Sequence, residues 1–236
     1  MTLGMNHIIN GVCSPEWFLW KDIIIDTIIL LIVIFILYGI IKYMKISSKK
    51  EYKTMVTAFE LVSLSFLLKI IVNSFIYTMP TFPGWDFWNM HFMHSLLILA
   101  FIISRVLFAI GVLYWYKMYY KPSSHSLFLI ASLVVIALYF TRSQFYILHM
   151  VLVLFLFFIV KKALFNFEEK KGKLSMIIAS SFILFFLSQI FFMFLEFNLM
   201  FYVIGEIFQL LGYLFMVSTL IVVKMHGKKK KSLRHC

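Results

Sequence analysis

Long apolar runs recur seven times along this 236-residue chain, each parted from the next by a short polar segment, and every other one of those segments carries lysines. A helix that is apolar all round has to be buried in a large core or in lipid. Crossing a bilayer takes about 20 predominantly apolar residues. The runs read as helices over about Trp20–Met44, Thr54–Met79, Phe87–Tyr116, Ser123–Phe140, Phe145–Lys162, Leu174–Phe197 and Met200–Val223. The expected fold is therefore all-α, a polytopic membrane protein built as a bundle of seven transmembrane helices. Composition enters as an exclusion. Hydrophobic residues make up 63% and charged residues 14%, against roughly 45–50% and about 25% in soluble domains. That rules against a soluble enzyme, and two cysteines are too few for a disulfide scaffold.

The fourth and fifth runs have the shortest apolar cores and could form one irregular segment through Arg142. Their flanks argue for two crossings. Lys117 and Lys121 precede the fourth run, and Lys161, Lys162, Lys170, Lys171 and Lys173 follow the fifth. Basic flanks favour the cytoplasmic side, and both flanks reach it only if the chain crosses twice, turning outside at Thr141–Gln144.

The same rule orients the whole chain. Of the 22 basic residues, all but Lys21, Lys69, Arg105 and Arg142 fall in alternate connections or the tail. The N-terminus is expected outside and the C-terminus in the cytoplasm, in a multi-pass cell-membrane protein. The net charge of +12 then serves insertion and attraction to anionic lipid headgroups at the cytoplasmic face, and a nucleic-acid partner is not expected.

The domain organisation is a single transmembrane domain. Residues 1–19 form an outer segment, 20–223 the bundle and 224–236 a basic cytoplasmic tail. No cleavable signal pattern is evident. Cys13 and Cys236 fall on opposite sides of the membrane. No appended soluble domain is expected, so any signalling output would pass through a cytoplasmic protein partner. Pro15, Pro80, Pro83 and Pro122 lie outside the runs or at their edges, which argues for intact helices rather than the broken ones of many transporters. Gly205 and Gly212, seven apart, mark a packing seam. Trp17, Trp20, Trp85 and Trp88 fit an interfacial aromatic belt.

Ionisable groups within a membrane are costly, face the bundle interior and pair. At a similar depth below the outer surface lie Asp22 and Asp26, His91 and His94, His149, Glu196, and Glu206 with Gln209; Lys69 and Asn73 run from that layer toward the middle. Asp26, Lys69, Asn73, His91, His94, His149, Glu206 and Gln209 are the candidate ligand or ion site, an outward polar vestibule. Lys69 needs a counter-charge, and by depth Asp26 and Glu206 supply it. Glu60 and Arg105 are expected as a buried ion pair. His91, His94 and His149 with Asp26 or Glu206 have the donor atoms for zinc, so a metal is open. No nucleophile elbow, His-Glu-x-x-His pair or phosphate loop occurs, no cofactor is implied, and the last run has no lysine before Lys224 to anchor a retinal-type chromophore.

The expectation is a non-catalytic sensor or receptor-like protein binding a small polar ligand, proton or ion. The alternatives are a transporter or channel for an ion or small polar solute, then a metal-dependent intramembrane enzyme.

Overall fold

The computed structural model describes residues 15, 17–46, 50–78, 87–141, 146–195 and 197–232. Seven helices make up the described chain: α1 (Leu19–Ile46), α2 (Lys50–Thr78), α3 (Phe87–Tyr120), α4 (Ser124–Thr141), α5 (Tyr146–Lys170), α6 (Lys173–Met193) and α7 (Met200–Ser232). Each covers one apolar run, because in lipid a backbone satisfies its own polar groups only as a helix or a closed barrel; α5 and α7 continue past the expected ends, Lys162 and Val223, to Lys170 and Ser232. Six of them, α1, α2, α3, α5, α6 and α7, are long and apolar enough to cross a membrane. The apolar stretch of α4 is shorter, Phe128–Ala137.

Helix ends carry local signals. The α3 helix stops where Lys121 turns left-handed at φ 44° and Pro122 follows, a residue that cannot continue a helix. The α5 helix stops in the same manner at Lys171, φ 42°, just before Gly172. At the start of α7 the Asn198 side chain accepts the backbone N–H of Met200 at 2.8 Å, satisfying one of the orphan donors of a first turn.

Packing order departs from chain order at one helix. The sequence of neighbours runs α1, α2, α3, α5, α6, α7 and back to α1, so six helices close a ring. Outside it sits α4, resting on α5 with a lighter contact to α3.

Helix directions follow from contact pairs. Asp26 meets Lys69 and Asp22 meets Asn73, so α1 and α2 are antiparallel. Gly111 faces Ala58 and Val62 while Phe108 meets Phe66, so α2 and α3 are antiparallel too. The α3 and α5 helices run the same way. Arg105 and His149 meet the same Phe192 ring, Tyr116 meets Phe155, and Tyr120 meets Phe158. Likewise α1 and α7 are parallel: Asp22 pairs with Tyr202 at one end, and Leu220 sits against Gly39 at the other. The start of α1 and the end of α7 therefore lie at opposite ends of the bundle. The lysine-bearing ends of α1, α2, α3, α5, α6 and α7 share one end.

Two glycines on α7 let α6 come close. A Cβ at Gly205 would stand 2.6 Å from the Phe192 ring, and one at Gly212 would stand 2.6 Å from the Phe185 ring. Two phenylalanines seven apart thus seat on two glycines seven apart, the small-residue packing that lipid-embedded helices favour. Trp115 of α3 fills the centre, edge-on to Phe59 and Phe182 and stacked on Phe185. Phe66 and Tyr213 complete this aromatic plug at 5.6 Å between centroids.

The surface is the reverse of a soluble protein's. Leu31, Phe35, Leu67, Ile71, Leu99, Phe128, Leu129, Phe157 and Phe215 are exposed, whereas Asp22, Asp26, Lys69, Asn73, His149, Gln189, Glu206 and Gln209 are buried. Apolar outside and ionisable inside is the distribution of a bundle whose solvent is lipid. Trp17 and Trp20, both about half exposed, flank the Lys21 ammonium at 5.0 and 5.5 Å near the start of α1.

Candidate functional site

Three helices each contribute a pair of polar residues spaced i, i+4, so that each pair lies on one face. They are Asp22 and Asp26 on α1, Lys69 and Asn73 on α2, and Tyr202 and Glu206 on α7. Because α2 runs opposite to the other two, the pairs stack into two layers about 6 Å apart. Asp22, Asn73 and Tyr202 form the layer nearer the start of α1, and Asp26, Lys69 and Glu206 form the one beneath it.

The Lys69 ammonium joins the layers. It donates to Glu206 Oε1 at 2.6 Å, to Asp26 Oδ1 at 2.9 Å and to Asp22 Oδ1 at 3.4 Å. The other oxygen of Asp22, Oδ2, accepts from the Tyr202 hydroxyl at 2.6 Å and from Asn73 Nδ2 at 3.1 Å. The Lys69 ammonium also lies 5.5 Å from the Tyr202 ring centroid. Asp22 is thus fully engaged. Asp26 Oδ2 and Glu206 Oε2 are buried and have no hydrogen-bond partner among the described residues. The group is sealed: Asp22 and Asp26 are 0% exposed, Glu206 1% and Lys69 6%.

One ammonium faces three carboxylates, so the fully ionised cluster carries more negative than positive charge. Buried charge is tolerated only when compensated. One oxygen from each of Asp22, Asp26 and Glu206 lies within 4.8 Å of the others, close enough to ligate a single cation. Among the described residues this is the one grouping of three such donors, and it holds no histidine. On the side of Lys69 facing the aromatic plug lies a cavity of about 10 Å³, with room for roughly one water molecule. Ser65, Phe66, Ser104, Phe108 and Gln209 line it together with Lys69 and Arg105. The polar layer is packed and closed, where the sequence pointed to an open vestibule.

Of the residues singled out from the sequence, Asp26, Lys69 and Glu206 meet directly, Asn73 joins them through Asp22, and Gln209 lines the cavity below. His149 stands apart. Its Nδ1 is 2.8 Å from Gln189 Oε1 on α6, and its ring packs at 5.3 Å from Phe192. The side chains of His91 and His94, and the whole of Glu196, lie outside the described residues.

The expected Glu60–Arg105 buried pair is corrected. Glu60 is exposed, and Gly111 is the α3 residue facing Ala58 and Val62 on either side of it in sequence. Arg105 is six residues from Gly111, about 9 Å farther along the helix. Its guanidinium instead sits 5.0 Å from Phe101 and 6.0 Å from Phe192, beside the cavity. Depth counted from approximate span edges placed the two residues level; the glycine contact sets a different register.

Tyr202 was missed from the sequence, since a tyrosine near an interface reads as belt. The available signal was its position four residues before Glu206. Gln189, the partner of His149, was missed for a similar reason, as a lone glutamine in an apolar run. Set against protein-family models, curated proteins and solved structures, the chain matches none, and its site is read from its own residues.

Proposed function

We propose that this is a seven-pass cell-membrane sensor, N-terminus outside and C-terminus in the cytoplasm, whose ligand is a small cation held by the cluster around Lys69. Parallel α1 and α7 support an odd number of crossings, and parallel α3 and α5 support a crossing by α4 between them. The orientation rests on the lysines gathered at one end of the bundle. By that orientation the cluster lies in the outer half.

The observation that carries the ligand class is the pair of buried, partnerless oxygens, Asp26 Oδ2 and Glu206 Oε2, beside a single ammonium. A proton or a metal ion satisfies such oxygens and compensates the charge together; an organic ligand has no room there. The cation bridges α1 and α7 through their carboxylates, while Lys69 bridges both to α2. Its binding or release changes how three helices are tied, and the parallel α7 carries that change to the basic tail, where anionic lipid or a cytoplasmic protein partner reads it.

A transporter is the second reading, favoured by the cavity that continues the polar layer toward Arg105. The aromatic plug of Phe66, Trp115, Phe185 and Tyr213 beneath it closes the route to the other face and favours the sensor.

Thermal unfolding of the purified protein in nanodiscs, titrated separately with acid, Na⁺, K⁺, Mg²⁺, Ca²⁺ and Zn²⁺, tests the site. A ligand that binds only the folded state adds about 2.7 kcal/mol of stability at 100 times its Kd. One cation should raise the melting temperature of the wild type and leave a folded Lys69→Met/Glu206→Gln double variant unmoved. A response of equal size in that variant would reject the site. Cation flux across liposomes containing the protein would instead select the transporter.

A further inference from the structure

Glu60 is the anomaly of the bundle. It sits in the middle of α2, whose apolar span is Tyr52–Thr78. Five residues separate it from the midpoint of that span, about 7–8 Å at ~1.5 Å per residue, well inside a hydrocarbon layer about 30 Å thick. Yet it is exposed. Lys69, Phe66 and Val62 mark the inward face of α2, and Glu60 falls on the opposite face with the exposed Leu64, Leu67 and Ile71. An ionisable side chain at such depth ordinarily turns inward and pairs. Glu60 makes no hydrogen bond or ion pair among the described residues. The hydroxyls beside it are engaged elsewhere: Thr57 donates to the Lys53 carbonyl at 3.2 Å and Ser63 to the Phe59 carbonyl at 2.8 Å.

We propose that this outward face of α2 docks a transmembrane helix of another membrane protein, one that carries a lysine or arginine level with Glu60. Charge complementarity selects the occupant. Lipid tails offer a carboxylate nothing, and apolar helices gain nothing from it. A basic side chain at the same depth converts two unfavourable groups into one charge-assisted contact, and Leu64, Leu67 and Ile71 supply apolar packing on the side toward the cluster.

A second copy of this chain does not fit. Copies inserted under the same lysine rule share their depth. At the level of Glu60 a copy presents no basic side chain among the described residues. Lys53 is seven residues away, about 10 Å nearer the basic end, and Lys117 is six residues beyond Gly111, about 9 Å in the same direction. Lys69 and Arg105 lie on the other side of that level, toward the cluster. The partner therefore supplies what this chain lacks.

The test uses a defined probe, a labelled polyleucine transmembrane peptide with one lysine placed level with Glu60, in phosphatidylcholine vesicles with the full-length protein. Controls carry leucine or glutamate at that position, and energy transfer reports association. The lysine peptide should bind at least about tenfold more tightly than the leucine peptide, and Glu60→Gln should erase the difference without changing the protein's own melting temperature. Glu60→Lys should reverse the preference toward the glutamate peptide, a readout that stands even if Glu60→Gln folds poorly. Equal binding of the lysine and leucine peptides, or a preference that survives Glu60→Gln, overturns the proposal. So does efficient disulfide formation between two copies of Glu60→Cys, which would make the occupant a second copy.

Discussion

Lys69 and Glu206 are 137 positions apart in the chain, and their side chains meet at 2.6 Å in a buried contact that ties α2 to α7. Both groups are buried, Glu206 at 1% and Lys69 at 6% exposure. Removing the ammonium leaves Asp22, Asp26 and Glu206 facing one another, and breaking a buried ion pair from one side costs about 3–5 kcal/mol. Lys69→Met should lower unfolding stability in detergent by that order. Lys69→Met/Glu206→Gln should lose less than the two single variants together, because residues in one network do not act additively. A Lys69→Met protein that melts with the wild type would mean the four side chains are not gathered.

Tyr202 gives a finer probe of the same cluster. Its hydroxyl donates to Asp22 Oδ2 at 2.6 Å, while its ring lies beside the Lys69 ammonium. Tyr202→Phe removes the first contact and keeps the second. A hydrogen bond to a charged group contributes about 1.5–3 kcal/mol in water-soluble proteins, and interhelical bonds in membranes average about 0.6. The expected loss is about 1–2 kcal/mol by chemical denaturation, with Tyr202→Leu losing more. Identical losses for the two variants would count against a role for the ring.

The α6–α7 seam should tolerate no added bulk at its two glycines. A valine at Gly205 would drive its Cβ into the Phe192 ring, already 2.6 Å from where that atom would stand, and overpacking typically costs about 1–3 kcal/mol. Gly205→Val should melt lower than the wild type by that order. Pairing Gly205→Ala with Phe192→Leu should recover most of the loss of Gly205→Ala, because the obstructing atoms belong to the ring. Melting curves of the three variants in one detergent decide it. No recovery in the pair would mean the seam is set by something other than this contact.

What could be read from the chain divides along physical lines. Helix positions were legible because an apolar run in lipid has one main solution, and run lengths translate directly into helices. The depth of Asp26, Lys69 and Glu206 was legible too, since depth is a count along each helix. Rotation and register were not. Whether Glu60 faces inward depends on which side of α2 meets α3, and that is decided by Gly111 against Ala58 and Val62. Counting along the helix cannot distinguish that face from its opposite. The ring order was equally hidden: nothing in the chain says that α3 packs on α5 while α4 lies outside. The closed form of the polar layer arose from side-chain reach, Tyr202 and Asn73 both bending to Asp22.

The outlying α4 bears the topology. It is 18 residues long, about 27 Å, just under the thickness of a hydrocarbon core, and Lys117 and Lys121 precede it on the basic side. If α4 crosses, its two ends face opposite compartments. In a chain with Cys13 and Cys236 replaced by serine, Ser123→Cys should react with a membrane-impermeant maleimide only in inverted vesicles, and Thr141→Cys only in right-side-out ones. Trp17→Cys should behave as Thr141→Cys does, because the start of α1 lies on that side. Reaction of Ser123→Cys and Thr141→Cys from the same compartment would leave six crossings and put both termini on one side. Parallel α1 and α7 could not then both span the bilayer in a chain of alternating crossings. The labelling pattern therefore tests the direction of α7 as much as the position of α4.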